Sequence, residues 1–192
     1  MNDTKRRQIR DYLDQSRGLS PALLDPEGHV SRGNAYYALG EYEPAIEEFT
    51  SAITQRPTYV NAHFNLGIVL AASNRYAEAE VAFRTAIGLA AAQDVLVPEA
   101  YYYLAVALFE QKRYEDALAA AKSATERGGD PAFSYLRARL HSLMGDQESA
   151  IEWLRKAISV APKYRDSARR DAAFQAIRSD KRFEALVTSD QA

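Results

Sequence analysis

Three histidines and no cysteine leave this chain little material for metal or nucleophilic chemistry. His29 and His63 occupy equivalent positions of adjacent sequence repeats, with Glu27 and Asn61 as the local side chains that could join them around a cation. A zinc site asks for a closed set of nitrogen, sulfur or carboxylate ligands, and two histidines with such neighbours fall short of one. They read as packed side chains, and His141 is expected to face a neighbouring helix. No Gly-rich phosphate loop, H-E-x-x-H, G-x-S-x-G or Cys/His couple occurs. Acid pairs such as Glu47-Glu48 read as surface charge. The expectation is therefore no enzyme, no catalytic residue, no metal and no cofactor. What remains is binding chemistry: aromatic side chains, among them the run Tyr101-Tyr102-Tyr103, and the amides of Asn34 and Asn65, which can hydrogen-bond a peptide backbone. Successive residues on a helix point about 100° apart, so the three tyrosines cannot form one stack. Tyr101 is expected in the core, with Tyr102 and Tyr103 turned outward.

The elements that must position these residues are written in a repeat. Tyr42 and Tyr76, Ala45 and Ala79, Phe49 and Phe83, and Ala52 and Ala86 all share a single offset. A third copy runs through Leu104-Ala105, Tyr114, Ala117, Ala121 and Ala124, and a fourth places Ala150 one short of that offset after Ala117. A period of this size, about 34 residues, describes a helix pair that cannot bury its apolar face alone and must stack on its neighbours, a helical solenoid. The pattern predicts helices over 26–39 and 43–56, 60–73 and 76–90, 98–111 and 114–127, and 132–144 and 147–160. Short turns at Gly40-Glu41, Ser73-Asn74-Arg75, Gln111-Lys112-Arg113 and Gly145-Asp146 make the partners antiparallel. Asp25-Pro26-Glu27 supplies a cap, a first-turn proline and an acid for the helix dipole. The step from Tyr76 to Tyr114 exceeds the period by four, and the surplus lies in 90–97. An extended second helix or a bulged joint is expected there. Ahead of the repeats, 4–18 reads as a short helix with Ile9, Tyr12 and Leu13 as its apolar stripe. Gly18 is its stop, and Gly18-Leu19-Ser20-Pro21 a break.

The apolar fraction of 47% and charged fraction of 26% are those of an ordinary soluble protein. The charged start, Met1-Asn2-Asp3-Thr4-Lys5-Arg6-Arg7, is unlike a secretory signal, and no run approaches the roughly 18–20 apolar residues of a membrane span. A cytoplasmic location and no stable membrane insertion are expected. Residues 21–162 hold 12 basic and 18 acidic groups, a balance of −6, while each end is +2. An acidic middle argues against a nucleic-acid groove along the repeats.

The landmarks Gly33, Tyr42, Ala45, Phe49 and Ala52, recurring over roughly 26–162, resemble the tetratricopeptide repeat (TPR) family, of the small bacterial type. The resemblance implies an all-α, right-handed superhelix of about four helix pairs (26–59, 60–97, 98–131 and 132–162). An N-terminal helix and linker would occupy 1–25, and C-terminal capping helices and a tail 163–192. It also implies that Gly33, Gly67, Ala105 and Ala138 on first helices meet Ala45, Ala79, Ala117 and Ala150 on second ones. A residue larger than Ala there would part the helices. Tyr42, Tyr76, Tyr114, Phe49 and Phe83 would fill the space between consecutive helices. His29, His63, Tyr101 and Ser134 stand in place of the family's common tryptophan, and Arg137 stands where Leu66 and Leu104 stand. The tail resembles a terminal cap, with Phe174, Ile177, Phe183 and Leu186 inside. Its basic residues Arg165, Arg169, Arg170, Arg178, Lys181 and Arg182 alternate with acids as on a solvated face.

The same resemblance places a concave face on the first helix of each pair. Its residues are Ser31, Asn34 and Tyr37; Asn61, Phe64, Asn65 and Ile68; Glu99, Tyr102, Tyr103, Val106 and Phe109; and Tyr135, Arg139 and Ser142. These are read as a peptide-binding surface, with packing between units as the alternative for some aromatics. Some family members grip a free C-terminal carboxylate with two asparagines and several cations. Asn34 and Asn65 match, but Val30, Glu99 and Tyr103 stand at the cationic places, so an acidic C-terminal tail is a poor ligand. The expected function is a scaffold or adaptor that binds a partner protein or peptide through an apolar or aromatic segment. A self-associating platform (a homo-oligomer) and an assembly chaperone for a larger complex are the alternatives.

Overall fold

A computed structural model describes residues 2–17, 24–95 and 97–188. The proposed stop and break at Gly18-Leu19-Ser20-Pro21, and Leu96 in the surplus segment, lie outside the described residues. The chain divides into two compact units, Met1–Leu96 and Val97–Ala192. The first contains α1 (Asp3–Arg17), α2 (Pro26–Leu39), α3 (Tyr42–Gln55), α4 (Val60–Ala72) and α5 (Tyr76–Ala92). The second contains α6 (Pro98–Glu110), α7 (Tyr114–Arg127), α8 (Pro131–Leu143) and α9 (Gln147–Val160). It continues with α10 (Tyr164–Arg170), a 3-10 helix (Ala172–Ile177) and α11 (Lys181–Thr188). The described residues contain no strand.

The helix ends follow from local chemistry. Asp25 accepts from the Gly28 amide at 2.7 Å, and Pro26 opens α2 where a missing N–H costs nothing. Asp130 and Asp146 cap α8 and α9 in the same way. The turns inside the four pairs share one backbone device, a left-handed residue: Gly40 (φ 81°), Asn74 (62°), Lys112 (61°) and Gly145 (83°). The four-residue surplus resolves as both expected forms. Helix α5 runs 17 residues against 14 in α3 and α7, and Asp94 (φ 56°) turns the chain after it. Gln93 Nε2 donates to the Thr58 carbonyl at 3.1 Å, tying the extension to the α3–α4 joint.

Helix-pair packing is tighter than the resemblance implies. A Cβ at Gly33 would lie 2.7 Å from Phe49 Cε1, and one at Gly67 would lie 2.6 Å from Phe83 Cε1. Even alanine is too large at these two places, because the facing phenyl rings are fully buried. At the equivalent places of the second unit, Ala105 goes with Ala121 and Ala138 with Leu154, all fully buried. Where the first helix carries alanine in place of glycine, the facing residue of the second helix is smaller than phenylalanine.

Both units draw their terminal segments into the core. In the first, Leu13 of α1 is buried with Val30, Tyr36, Ala45 and Phe49. In the second, Phe174, Ile177, Phe183 and Val187 complete a cluster with Ala138, Ile151, Leu154 and Ile158. The C-terminal segment is three short pieces rather than one helix. Asp171 caps the 3-10 helix through the Ala173 amide (2.9 Å), and Asp180 takes the Arg182 amide (2.8 Å). Those breaks rotate Val187 into the core and leave Leu186 half-buried.

Candidate functional site

The inner face of each unit is formed by the first helices of its pairs, turned away from their partners. In the first unit α2 and α4 lie side by side, and Asn65 Nδ2 donates to Asn34 Oδ1 at 3.2 Å. The other half of each amide, an acceptor on Asn65 and a donor on Asn34, makes no hydrogen bond among the described residues. Asn34 is exposed and Asn65 half-buried. Around them, Tyr37 is exposed with its ring 6.2 Å from Tyr42, and Phe64 is half-buried 6.0 Å from Phe83. Ile68 is half-buried, while Asn61 and Ser31 are exposed.

In the second unit the inner face is aromatic. Tyr102 and Tyr103 meet edge to face at 5.2 Å, so neighbours in sequence do touch although the three-residue run cannot stack. Tyr102 also lies 5.1 Å from Phe133 of α8, which joins the two first helices. Tyr135 stacks on Tyr164 at 4.6 Å and meets Phe174 edge-on at 5.8 Å. Its hydroxyl donates to Asp171 Oδ2 at 3.0 Å, and Arg139 Nε stands 2.9 Å from the same oxygen. Arg139 lies over the Phe109 ring at 4.2 Å. Burial pushes the Tyr135 phenol far above its ordinary value, and the Asp171 charge adds to that. Burial likewise raises Tyr102 and Tyr164. Val106 is half-buried and Glu99 exposed.

Of the residues expected on these faces, Ser142 does not belong there: it is 2% exposed, with its hydroxyl unpartnered among the described residues. Helix α8 is packed on by α7, α9 and the 3-10 helix, and so small a side chain is covered between them. Tyr101 is not a core residue either. It is half-buried with Arg127 lying 4.6 Å above its ring. Glu48 departs from its surface reading, since it bridges His29 Nδ1 (2.7 Å) and Arg32 Nη2 (2.9 Å) with all three largely buried. Its neighbour Glu47 is exposed. His63 contacts the Pro57 carbonyl at 2.9 Å, and His141 contacts Asp146 in the turn at 3.1 Å. Arg137 fills a leucine place by laying its guanidinium 3.6 Å over Trp153 and bonding Thr125 at 2.9 Å. In the tail, Arg169 donates to the Val187 carbonyl and pairs with Asp166, and Arg182 pairs with Asp180. Sequence reasoning missed Phe133, the buried ring that Tyr102 packs against, and Tyr164 and Asp171, which complete the second inner face. The last two lie beyond the helices of the fourth pair, where the period says nothing about orientation.

Stacked antiparallel helix pairs with small-to-large contacts between partners define a helix-repeat protein of the α-solenoid class. A model described as TPR repeat matches residues 33–74, and models described as tetratricopeptide repeat match 60–93, 84–131 and 132–164. The chain belongs to the tetratricopeptide repeat family. Human tetratricopeptide repeat protein 6 is 28% identical over 149 residues, covering 76% of this chain and 28% of that protein. The chain thus spans little more than a quarter of that relative. Among solved structures, MamA (residues 41 to the end) from Desulfovibrio magneticus RS-1 aligns with a TM-score of 0.67 and 22% identity. That alignment covers 85% of this chain and 98% of that MamA fragment. YrrB, a TPR protein with an unusual peptide-binding site, aligns at 0.69 with 15% identity over 91% of this chain and 88% of its own. The Cut9–Hcn1 complex of the APC/C gives 0.73 with 16% identity, over 95% of this chain and 35% of that one. These structures share the fold, which is one of protein-interaction modules, typically non-enzymatic. No helix of the described residues is long and apolar enough to cross a membrane.

Proposed function

We propose that this protein is a non-enzymatic scaffold in which the inner helix face of each unit binds an extended segment of a partner protein. The observation that carries this reading is the Asn34–Asn65 pair. One amide hydrogen bond joins the two side chains, and the remaining acceptor and donor stand side by side, the pairing that a peptide group needs. The aromatic surface of Tyr102, Tyr103 and Phe109, half-buried rather than closed over, supplies contact area at low entropic cost. The peptide-binding site stated for YrrB supports the same use of the fold. A segment held on one such face binds with a Kd on the order of micromolar, about −8 kcal/mol.

The test is affinity purification from the native cell with quantitative mass spectrometry. Wild type is compared with the Asn34→Ala/Asn65→Ala and Tyr102→Ala/Tyr103→Ala variants, each checked for helicity. Partners that fall at least about tenfold in either variant support the reading. An unchanged partner set in both overturns it.

A further inference from the structure

On the inner face of the second unit, α6 and α8 present one cation among the described residues, and the chain neutralises it itself. Arg139 Nε lies 2.9 Å from Asp171 Oδ2, and Tyr135 donates to the same oxygen at 3.0 Å. The guanidinium also rests on Phe109 at 4.2 Å, so it is fixed from two sides. Asp171 belongs to the C-terminal segment. Its other oxygen takes the Ala173 amide at 2.9 Å and so caps the 3-10 helix. One half of this carboxylate is structural, and the other occupies the place that a ligand's carboxylate would take on Arg139.

The charges left around the tyrosines are mostly acidic. Asp130, exposed at the start of α8, is near enough to Tyr102 and Tyr164 to disfavour their ionisation. Glu99 is exposed one turn ahead of Tyr102 and Tyr103 on α6. Lys163 stands at the rim, 5.4 Å from the Tyr164 ring. With Arg139 paired, an incoming carboxylate meets acids and phenols, while a lysine or arginine meets acids and the negative faces of tyrosine rings.

We infer that Asp171 sets the charge preference of this face: by holding Arg139 it makes the surface accept an aromatic segment carrying lysine or arginine and turn away an acidic one. The inference rests on the peptide-binding reading and adds the chemistry of the partner. It differs from the missing carboxylate clamp, because here a cation is present and its charge is paired from within.

Full-length protein is titrated into two labelled synthetic peptides of equal length, one alternating phenylalanine with lysine and the other phenylalanine with glutamate, and followed by fluorescence anisotropy. The expected wild-type preference for the lysine probe is about tenfold or more. Asp171→Asn keeps a capping side chain at this position, so the segment stays folded and its melting curve stays close to wild type. In that variant the glutamate probe gains about tenfold, and the further change Arg139→Gln abolishes the gain. That second change separates the local effect from attraction of a basic peptide to the acidic repeats as a whole. Equal binding of both probes to wild type, or no gain by the glutamate probe in Asp171→Asn, overturns the charge preference and leaves the peptide-binding reading standing. Binding of neither probe to either protein overturns both. The wild-type ratio is a measure that depends on no variant folding.

Discussion

At the scale of single residues, the contact between Gly67 and Phe83 is the sharpest constraint in the first unit. Alanine is favoured over glycine inside a helix by about 1 kcal/mol. A Cβ placed 2.6 Å from a fully buried ring opposes that gain with an overpacking cost of about 1–3 kcal/mol. Gly67→Ala is therefore expected to lower the unfolding free energy by about 1–2 kcal/mol in urea titrations. Adding Phe83→Leu should recover part of the loss, a coupling that a double-mutant cycle reads directly. Gly88 sits in the same helix pair with nothing within 4 Å of its Cβ position. Gly88→Ala should raise stability by about 0.5–1 kcal/mol, so one substitution type takes opposite signs within one repeat. If Gly67→Ala also stabilises, the close contact is wrong. The repeat pattern marks Gly33 and Gly67 as small positions. It does not reveal that alanine is already too large, because that depends on where the Phe49 and Phe83 rings point.

At the scale of elements, the eight repeat helices were legible because their signals are local and reinforce one another. Asp25-Pro26, Asp130-Pro131 and the left-handed turn at Gly40 each act within a few residues of the end they set. The C-terminal segment was legible as a cap but not as three pieces, since Asp171 and Asp180 fit a solvated helix face as readily as they fit caps. Phe174 is its anchor, fully buried against Tyr135 and Phe183. Phe174→Ala is expected to destabilise by about 3–5 kcal/mol, the range for truncating a buried phenylalanine. Trp153, the single tryptophan of the chain, packs against the same cluster. Its fluorescence should therefore report the loss as a lowered denaturation midpoint. A change below about 1 kcal/mol would mean that the segment is only loosely applied to α8 and α9.

At the scale of the whole molecule, pH acts unequally on its two sides. Tyr102, Tyr135 and Tyr164 are held above their ordinary phenol value by burial, and all three belong to the second unit. The unfolded chain releases these protons near pH 10 while the folded chain keeps them. The stabilisation they contribute is thus complete below about pH 10 and is lost as pH rises through the folded values. Tyr135→Phe should flatten the fall in urea midpoint between about pH 8 and about pH 11. An unaltered slope would place that phenol in contact with water. On the acid side the Arg182 hydrogen bond holds Asp180 down to about 2, and Arg56, Arg75 and Lys156 lower Glu27, Glu78 and Glu152. Their contribution is present above about pH 4 and lost as pH falls through the folded values, and solvent exposure keeps it small. The sequence by itself determined the helix pairs, their period and the place of the four-residue surplus, because periodicity and capping are written in neighbouring residues. It also carried the family. Only the tertiary structure decided that Ser142 is enclosed, that Glu48 holds His29 and Arg32, and that Asp171 reaches Tyr135 and Arg139. Each of those depends on a rotation or a long-range contact, 36 residues in the case of Tyr135 and Asp171, that no local spacing specifies.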